Sequence, residues 1–313
     1  MSQPLSQHPQ PHFSILHVSD THLLGGSKPL HGSIDTAGRL QQMFQRISAS
    51  NLDIRALVFT GDLADRAEDD AYQELKSLVE PHARALSAEV IWVMGNHDER
   101  EPFSAVLWGE SATSEPRDRS YDIDGLRIIA LDTSVPGYHH GELTDEQLAW
   151  VAAQLAHPAP RGTVLALHHP PIPTVVPLMG LIELEEQHRL WEVIEDSDVR
   201  GILAGHLHYS THTVSRGIPV SVAAAACYNV DIAADASVLL KGVDRAHGSS
   251  LVSVYDDQLV FSDIPATDMP ELFTHSSEHL PMILNMSHDE RRAMFSAKDS
   301  DYNKKVDKDQ AGE

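Results

Sequence analysis

Seven side chains that can bind metal ions follow short apolar segments of this sequence. They are Asp20, His22, Asp62, Asn96, His168, His206 and His208. Imidazoles, carboxylates and one amide oxygen, without a thiolate, suit first-row ions such as iron, manganese, zinc or cobalt. Asp62 has two carboxylate oxygens and can bridge two cations at once. The residue types therefore predict a transition metal site.

The apolar segments before these side chains have the length and composition of buried strands. The segments are 13–19, 56–60, 90–94, 163–167 and 199–204. Open α/β sheets bind ligands in the crevice beyond the carboxyl ends of their strands. We therefore expect the seven side chains to meet in one such crevice.

Two of the motifs repeat a ligand at alternate positions, Asp20 with His22 and His206 with His208. In an extended segment, side chains at i and i+2 point to the same side. We expect each pair to bind one metal ion or two adjacent ions.

Helical patterns alternate with the first strands. Apolar spacing predicts helices over 35–50 and 69–80, and the order strand, helix, strand, helix, strand is typical of a parallel sheet. Asp124-Gly125 predicts a hairpin turn between 120–123 and 126–131.

The second half of the chain predicts helices over 144–156 and 182–195. The first of these begins with a capping box made by Thr144 and Gln147. Alternating stretches over 211–224 and 250–263 predict antiparallel strands, which we interpret as a second sheet packed on the first.

The core pattern fades near residue 266. We therefore predict one domain over 1–265 and a C-terminal extension over 266–313. Ser287 and Glu290 predict one more capped helix there, and the Asp/Lys-rich end after Lys298 predicts disorder.

Composition restricts the class of protein. The 313 residues carry a formal net charge of -23, which disfavours binding to nucleic acid. The one cysteine, Cys227, excludes an intrachain disulfide framework. The polar first dozen residues lack a signal-peptide pattern, and no apolar run approaches the roughly 20 residues that span a bilayer. We predict a cytoplasmic protein without a membrane span.

Five motifs occur in a characteristic order. They are Asp20-x-His22, Gly61-Asp62, Gly95-Asn96-His97-Asp98, His168 and Gly205-His206-x-His208. Together they resemble the signature blocks of the calcineurin-like metallophosphoesterases. Within that superfamily, the segments 15–22, 58–65, 131–137 and 204–210 resemble bacterial class III cyclic nucleotide phosphodiesterases of the actinobacterial type.

The resemblance implies an α/β fold, a four-layer αββα sandwich with a dinuclear metal centre at its edge. Asp20, His22 and His208 would hold the first metal, often iron. Asn96, His168 and His206 would hold the second, often manganese or zinc, and Asp62 would bridge the two. The resemblance also implies a homodimer.

The implied reaction is hydrolysis of 3′,5′-cyclic AMP to 5′-AMP. Two cations about 3.5–4 Å apart can neutralise a phosphodiester and activate a water molecule as the nucleophile. We expect His97 to protonate the departing 3′-oxygen and Asp98 to orient the His97 ring. The residues expected to contact substrate are His22, Asp62, Asn96, His97 and His208.

Neighbouring residues receive weaker roles. We expect Asp65 to support the Asp62 turn by hydrogen bonding, and His169 to support the site without binding metal. Contact with substrate and simple exposure in a loop explain His139 and His140 equally well. Tyr209 and Cys227 are interpreted as core or rim residues, outside the chemistry.

Two other functions are compatible with the same motifs. The first is hydrolysis of another phosphodiester or monoester, such as a phospholipid head group or a nucleotide-sugar. The second is an inactive scaffold that only binds a partner. Such scaffolds typically lose ligands or the Asn-His pair, whereas this sequence retains Asn96 and His97.

Overall fold

The computed structural model describes residues 5–245, 247–265, 272–304 and 306. The chain divides into two compact units. One is Pro11–Thr267, and the other combines Met1–Gln10 with Asp268–Glu313. Residues 266–271 lie outside the described residues, so the predicted boundary after residue 265 stays a prediction. Among the described residues, no helix is long and apolar enough to cross a membrane.

Strands and helices alternate through the larger unit. Its strands are β1 (Phe13–Val18), β2 (Ile54–Thr60), β3 (Glu89–Val93), β4 (Arg119–Ile123), β5 (Leu126–Leu131), β6 (Thr163–Leu167), β7 (Val199–Ala204), β8 (Thr211–Ser215), β9 (Ile218–Val222), β10 (Asn229–Val230), β11 (Gly242–Val243), β12 (Gly248–Val254) and β13 (Leu259–Pro265). Its helices are α1 (Thr36–Ser48), α2 (Asp69–Leu86), α3 (Arg100–Phe103), α4 (Asp145–Leu155) and α5 (Gln187–Ile194).

These strands form two large mixed sheets. The first has the order β13-β12-β1-β2-β3, and the second has the order β4-β5-β6-β7-β9-β8. Strands β1, β2 and β3 are parallel, as are β5, β6, β7 and β9. Antiparallel pairing adds β12 to β1, β13 to β12, β4 to β5 and β8 to β9.

The predicted antiparallel second sheet is therefore wrong in its composition. The stretch over 211–224 forms β8 and β9, which extend the sheet that contains β7. The stretch over 250–263 lies in β12 and β13, which extend the sheet that contains β1. Each stretch joins a sheet of parallel strands, β9 beside β7 and β12 beside β1, and local alternation carries no information about that choice.

Alternate residues of the central strands enter two different apolar cores. In β2, Ala56 and Val58 join a core between the two sheets, whereas Leu57 and Phe59 join the core under α1 and α2. In β6, the residues 164 and 166 face the central core and 165 and 167 face α4 and α5. Because both faces are buried, these strands are continuously apolar. The result is the predicted αββα layering.

Two helices have different ends from those predicted. Helix α2 continues through Pro81 to Leu86, and Ala83, beyond the proline, is still buried against the sheet. Helix α5 begins only at Gln187, because Glu186 has a left-handed backbone with φ 46°. Helix α4 begins with the predicted Thr144–Gln147 capping box.

The smaller unit contains short helices. They are α6 (Leu280–Asn285) and α7 (His288–Arg291), and α7 has the predicted capping box between Ser287 and Glu290. Residues 301–304 are helical, while 305 and 307–313, where we predicted disorder, lie outside the described residues.

Candidate metal centre

All seven predicted ligands lie just beyond the carboxyl ends of parallel strands. Strands β1, β2 and β3 of the first sheet are followed by Asp20, His22, Asp62 and Asn96. Strands β6 and β7 of the second sheet are followed by His168, His206 and His208. The two sheets therefore supply the two sides of one site, because their strand ends meet at the same edge of the sandwich.

Five of the seven ligands have a left-handed backbone, with φ between 44° and 71°. They are Asp20, His22, Asp62, His206 and His208. This region costs about 1–3 kcal/mol for a residue with a Cβ, although Asp and His tolerate it better than most residues. The prediction that Asp20–His22 and His206–His208 are extended is therefore wrong. Each ligand turns the chain sharply, and this directs the side chains into the site.

One group of ligand atoms surrounds Nε2 of His22. Nε2 of His208 lies 3.2 Å from it, and Asp62 Oδ2 lies 3.4 Å from it. Asp20 Oδ1 lies 3.3 Å from Nε2 of His208. These are the four residues expected around the first metal, and their side chains are almost completely buried.

A second group surrounds Nε2 of His168. Asn96 Oδ1 lies 3.1 Å from it, His206 Nδ1 lies 3.2 Å from it, and Asp62 Oδ2 lies 3.3 Å from it. These are the residues expected around the second metal. The same Asp62 oxygen faces both groups, as a bridging carboxylate should.

The other ring nitrogens show which lone pairs are free for a cation. His168 donates Nδ1–H to the Thr60 carbonyl over 2.7 Å, and His206 donates Nε2–H to the Ile182 carbonyl over 2.8 Å. With both rings neutral, as a bound cation would require, the facing nitrogens of His168 and His206 are both acceptors. Two lone pairs 3.2 Å apart, with a third from Asn96, form a stable arrangement when a cation lies between them. The ligands therefore fit metal binding.

The electrostatics of the site also favour positive charge. Burial lowers the pKa of His22, but hydrogen bonds and charges from Asp62 and Asp65 outweigh burial and raise it to about 10. Burial likewise opposes charge on His168, whose pKa Asp62 raises to about 9. Burial disfavours ionised Asp62, yet the two histidines hold its pKa well below the usual range. The carboxylates of Asp62 and Asp65 thus favour positive charge on neighbouring groups, and such a site is suited to metal cations.

Asp65 contacts the candidate metal ligand His22 through its side chain. Its Oδ1 accepts Nδ1–H of His22 over 3.0 Å, an arrangement that fixes the ring and leaves Nε2 for metal. Asp65 thus supports His22 rather than the Asp62 turn, which corrects our prediction. This contact could not be read from the local sequence, because the two residues are 43 positions apart.

His97 lies at the opening of the site. Its side chain is 32% exposed, and its ring centroid is 4.8 Å from that of His22. Its backbone N–H donates to Asp62 Oδ1, and its Nδ1 donates to the carbonyl of Asp65 over 2.9 Å. Nε2 is therefore the nitrogen turned away from that carbonyl and available for proton transfer.

Asp98 does not orient His97, so that part of the prediction is wrong. Its carboxylate is buried and accepts from the Tyr72 hydroxyl over 2.8 Å. It also accepts from three backbone N–H groups, those of Leu63, Ala64 and Gly95. Burial, together with the charge of Asp62, raises the pKa of Asp98 to about 6. Asp98 ties together the turns that carry Asp62 and Asn96.

The remaining histidines near the site separate into three roles. His169 bonds Thr133 Oγ1 through Nδ1 and donates Nε2–H to the His139 carbonyl, so both ring nitrogens are occupied by protein. His140 bonds Glu142. The His139 ring instead contacts the candidate metal ligand Asn96, with Nδ1 3.0 Å from the amide nitrogen.

Tyr209 and Cys227 are buried, as predicted for core or rim residues. Cys227 Sγ lies 3.8 Å from Nδ1 of His208. The thiol therefore packs against the candidate ligand His208, and it also lies within 4.8 Å of a ring nitrogen of His22.

Comparison with known proteins gives one family. Residues 13–210 match the calcineurin-like phosphoesterase family. The chain is 52% identical to a cAMP/cGMP dual specificity phosphodiesterase of Mycobacterium tuberculosis over 83% of this chain and 81% of the relative. It is 50% identical to a probable cyclic nucleotide phosphodiesterase of Rhodococcus erythropolis, over 85% and 87% of the two chains. A dimetal phosphatase from Danio rerio shares the fold, with a TM-score of 0.59 at 14% identity over 83% of this chain and 98% of that one.

Proposed function

The chain belongs to the calcineurin-like phosphoesterase family, as its motifs predict, and on this premise we propose that it hydrolyses 3′,5′-cyclic nucleotides to 5′-monophosphates. Similarity over most of the chain to a cAMP/cGMP dual specificity phosphodiesterase is the observation that carries the proposal. The convergent lone pairs of the ligands support it, because the reaction needs cations to offset the charge of an anionic diester.

The proposed cofactors are two transition metal ions. Asp20, His22 and His208 would hold the first, Asn96, His168 and His206 the second, and Asp62 both. When bound, the two ions supply a nucleophilic hydroxide and neutralise the phosphate oxygens. Iron paired with manganese or zinc is our expectation, with cobalt as a further possibility, and elemental analysis of protein kept free of chelators tests it.

His97 is the proposed general acid. Its Nδ1–H is held by the Asp65 carbonyl, so an imidazolium would present Nε2–H to the opening of the site. As the nucleophilic oxygen joins phosphorus, the P–O3′ bond breaks and the 3′-oxygen takes this proton. The product is a 5′-monophosphate with a free 3′-hydroxyl. General acids typically contribute about 100- to 10,000-fold in rate.

The ligands supply the other proposed substrate contacts. Phosphate bound to the cations would contact His22, Asp62, Asn96 and His208, and the Asn96 amide can also donate a hydrogen bond. A phosphate-centred site of this kind leaves the base preference to other surfaces. The homodimer and the cytoplasmic location stay predictions.

Mass spectrometry of cyclic AMP incubated with manganese-loaded protein tests the function. We expect 5′-AMP, and chelation should abolish its formation. Cyclic AMP left intact while a synthetic diester such as bis(p-nitrophenyl) phosphate is cleaved would contradict the cyclic-nucleotide assignment and favour another phosphoester. No hydrolysis of either compound by metal-loaded protein would favour the scaffold.

A further inference from the structure

Asn96 is the one candidate metal ligand whose side-chain amide could face the site with either its oxygen or its nitrogen. A loop residue, His139, contacts this amide. Asn96 presents Oδ1 to His168 over 3.1 Å, while its Nδ2 donates to Nδ1 of His139 over 3.0 Å. We propose that His139 is a positioning residue that fixes the Asn96 amide with its oxygen toward the second metal. The inference rests on the proposed dinuclear function and adds a residue to it.

An amide needs such a partner because its two ends have nearly the same shape. Rotation by 180° exchanges oxygen for NH₂, and an NH₂ group has no lone pair to offer a cation. Carboxylates and correctly protonated imidazoles do not have this problem, which distinguishes Asn96 from the other six ligands. An acceptor placed at the nitrogen end selects the binding orientation before the metal arrives.

The backbone that carries His139 is fixed by the buried His169. Nε2–H of His169 donates to the His139 carbonyl over 3.1 Å, and Nδ1 of His169 bonds Thr133 Oγ1 over 2.8 Å. At Gly141 an added Cβ would lie 2.6 Å from the His169 ring, so the loop lies directly against that ring. His139 is exposed, but contacts with the buried His169 hold its backbone in place.

A buried ion pair joins the two segments that carry Asn96 and His139. Arg100 donates Nε–H to Asp132 Oδ2 over 2.9 Å and donates through a second nitrogen to the Ser134 carbonyl over 2.9 Å. The Asp132 side chain is fully buried. The contact between Asn96 and His139 is therefore supported on both sides by structure that does not depend on the metal.

The contact also determines the tautomer of His139. Because Nδ1 accepts from Asn96, the proton of a neutral ring lies on Nε2. The ring centroid is 5.3 Å from that of the proposed acid His97. Loss of the Nδ1 acceptor of His139, rather than loss of side-chain volume, should therefore change the orientation of the Asn96 amide.

Manganese titration of metal-free protein, followed by electron paramagnetic resonance, tests the proposal without substrate. His139→Leu should bind the first Mn²⁺ normally and the second about 10–100-fold more weakly, the usual cost of losing a residue that orients a ligand. The spin-coupled signal of a metal pair should then give way to that of single ions. Activity should be lost at low Mn²⁺ and recover as Mn²⁺ is raised.

Two variants separate positioning from a general structural role. The side-chain oxygen of Asn can occupy the place of imidazole Nδ1, so His139→Asn should restore tight binding of the second ion. His140→Leu changes the same loop, where His140 bonds Glu142, and should leave Mn²⁺ binding unchanged. Melting temperatures of the two His139 variants should match the parent protein because His139 is exposed, and that of His140→Leu, whose side chain is 20% exposed, shows whether the control keeps its fold.

The outcomes distinguish this inference from the function on which it rests. If His139→Leu binds both ions with the affinity of the parent protein, the positioning role is wrong even if cyclic AMP is hydrolysed. Equal weakening in His139→Leu and His139→Asn would also overturn it. If the second ion is weakened only in His139→Leu but the parent protein leaves cyclic AMP intact, positioning stands and the substrate assignment fails.

Discussion

Asp65→Ala tests whether the orientation of His22 sets the affinity of the first metal. The substitution removes the carboxylate that accepts Nδ1–H of His22 over 3.0 Å. His97 keeps its own bond in this variant, because it uses the backbone carbonyl of residue 65. Asp65 Oδ1 also lies 3.9 Å from Nδ1 of His97, so the change removes a charge near the proposed acid while its hydrogen bond stays, and metal affinity rather than rate is the readout.

The expected magnitude follows from the surroundings of this bond. The His22 side chain is 4% exposed and the Asp65 side chain 20% exposed, so solvent replaces the lost contact poorly. A hydrogen bond to a charged group contributes about 1.5–3 kcal/mol, and about 1.4 kcal/mol corresponds to a tenfold change in affinity. We expect the first Mn²⁺ to bind about 10–100-fold more weakly, in agreement with the general effect of such partners.

Isothermal titration calorimetry of metal-free protein measures this affinity directly. Asp65→Asn should show an intermediate loss, because an amide oxygen still accepts from His22 but carries no charge. Asp69 is exposed in the first turn of α2 and provides a matched control, since Asp69→Ala removes a nearby negative charge and should leave the affinity unchanged. The reasoning fails if Asp65→Ala binds the first ion as tightly as the Asp69 control does.

Three further predictions concern neighbouring groups. His97→Ala should retain both metals and lose about 100- to 10,000-fold in kcat; an unchanged kcat in metal-loaded protein would contradict the role of His97 as acid. Tyr72→Phe should lower the unfolding free energy by about 1.5–3 kcal/mol, because its buried hydroxyl donates to Asp98, and should leave kcat nearly unchanged; denaturant unfolding checks the first value and steady-state kinetics the second. Burial raises the pKa of Asp118 from 3.8 to about 6, so protonation of this carboxyl stabilises the fold below about pH 4 and that stabilisation is lost as the pH rises through about 6. Asp118→Asn keeps the oxygen that accepts both hydrogen bonds, from Asp132 N–H and from the Gln147 amide. At pH 8 it should raise the free energy of unfolding by up to about 3 kcal/mol, seen as a higher melting temperature, and this gain should shrink toward pH 4. A gain that is the same at every pH would refute the pKa assigned to Asp118.

Local patterns were sufficient for most individual elements. Continuous apolar runs predict strands buried on both faces, and the observed division of β2 between two cores explains why alternation is absent there. Helix ends depend on more than pattern. The proline at position 81 suggests an earlier end for α2, but packing of Ala83 carries the helix past it. Strand partners are a long-range property, so the allocation of β8, β9, β12 and β13 to different sheets required the structure.

Residue type and order alone predicted the seven candidate ligands, and the structure brings them together because a side chain that ends a central parallel strand has little choice of where to lie. The tertiary structure decided which side-chain atom of each candidate ligand is available to a cation. Thr60, for example, fixes the tautomer of His168 from 108 positions away. The tertiary structure also pairs Asp65 with His22, Asp98 with Tyr72 instead of His97, and His139 with Asn96. Each of these hydrogen bonds joins segments that only tertiary packing brings together.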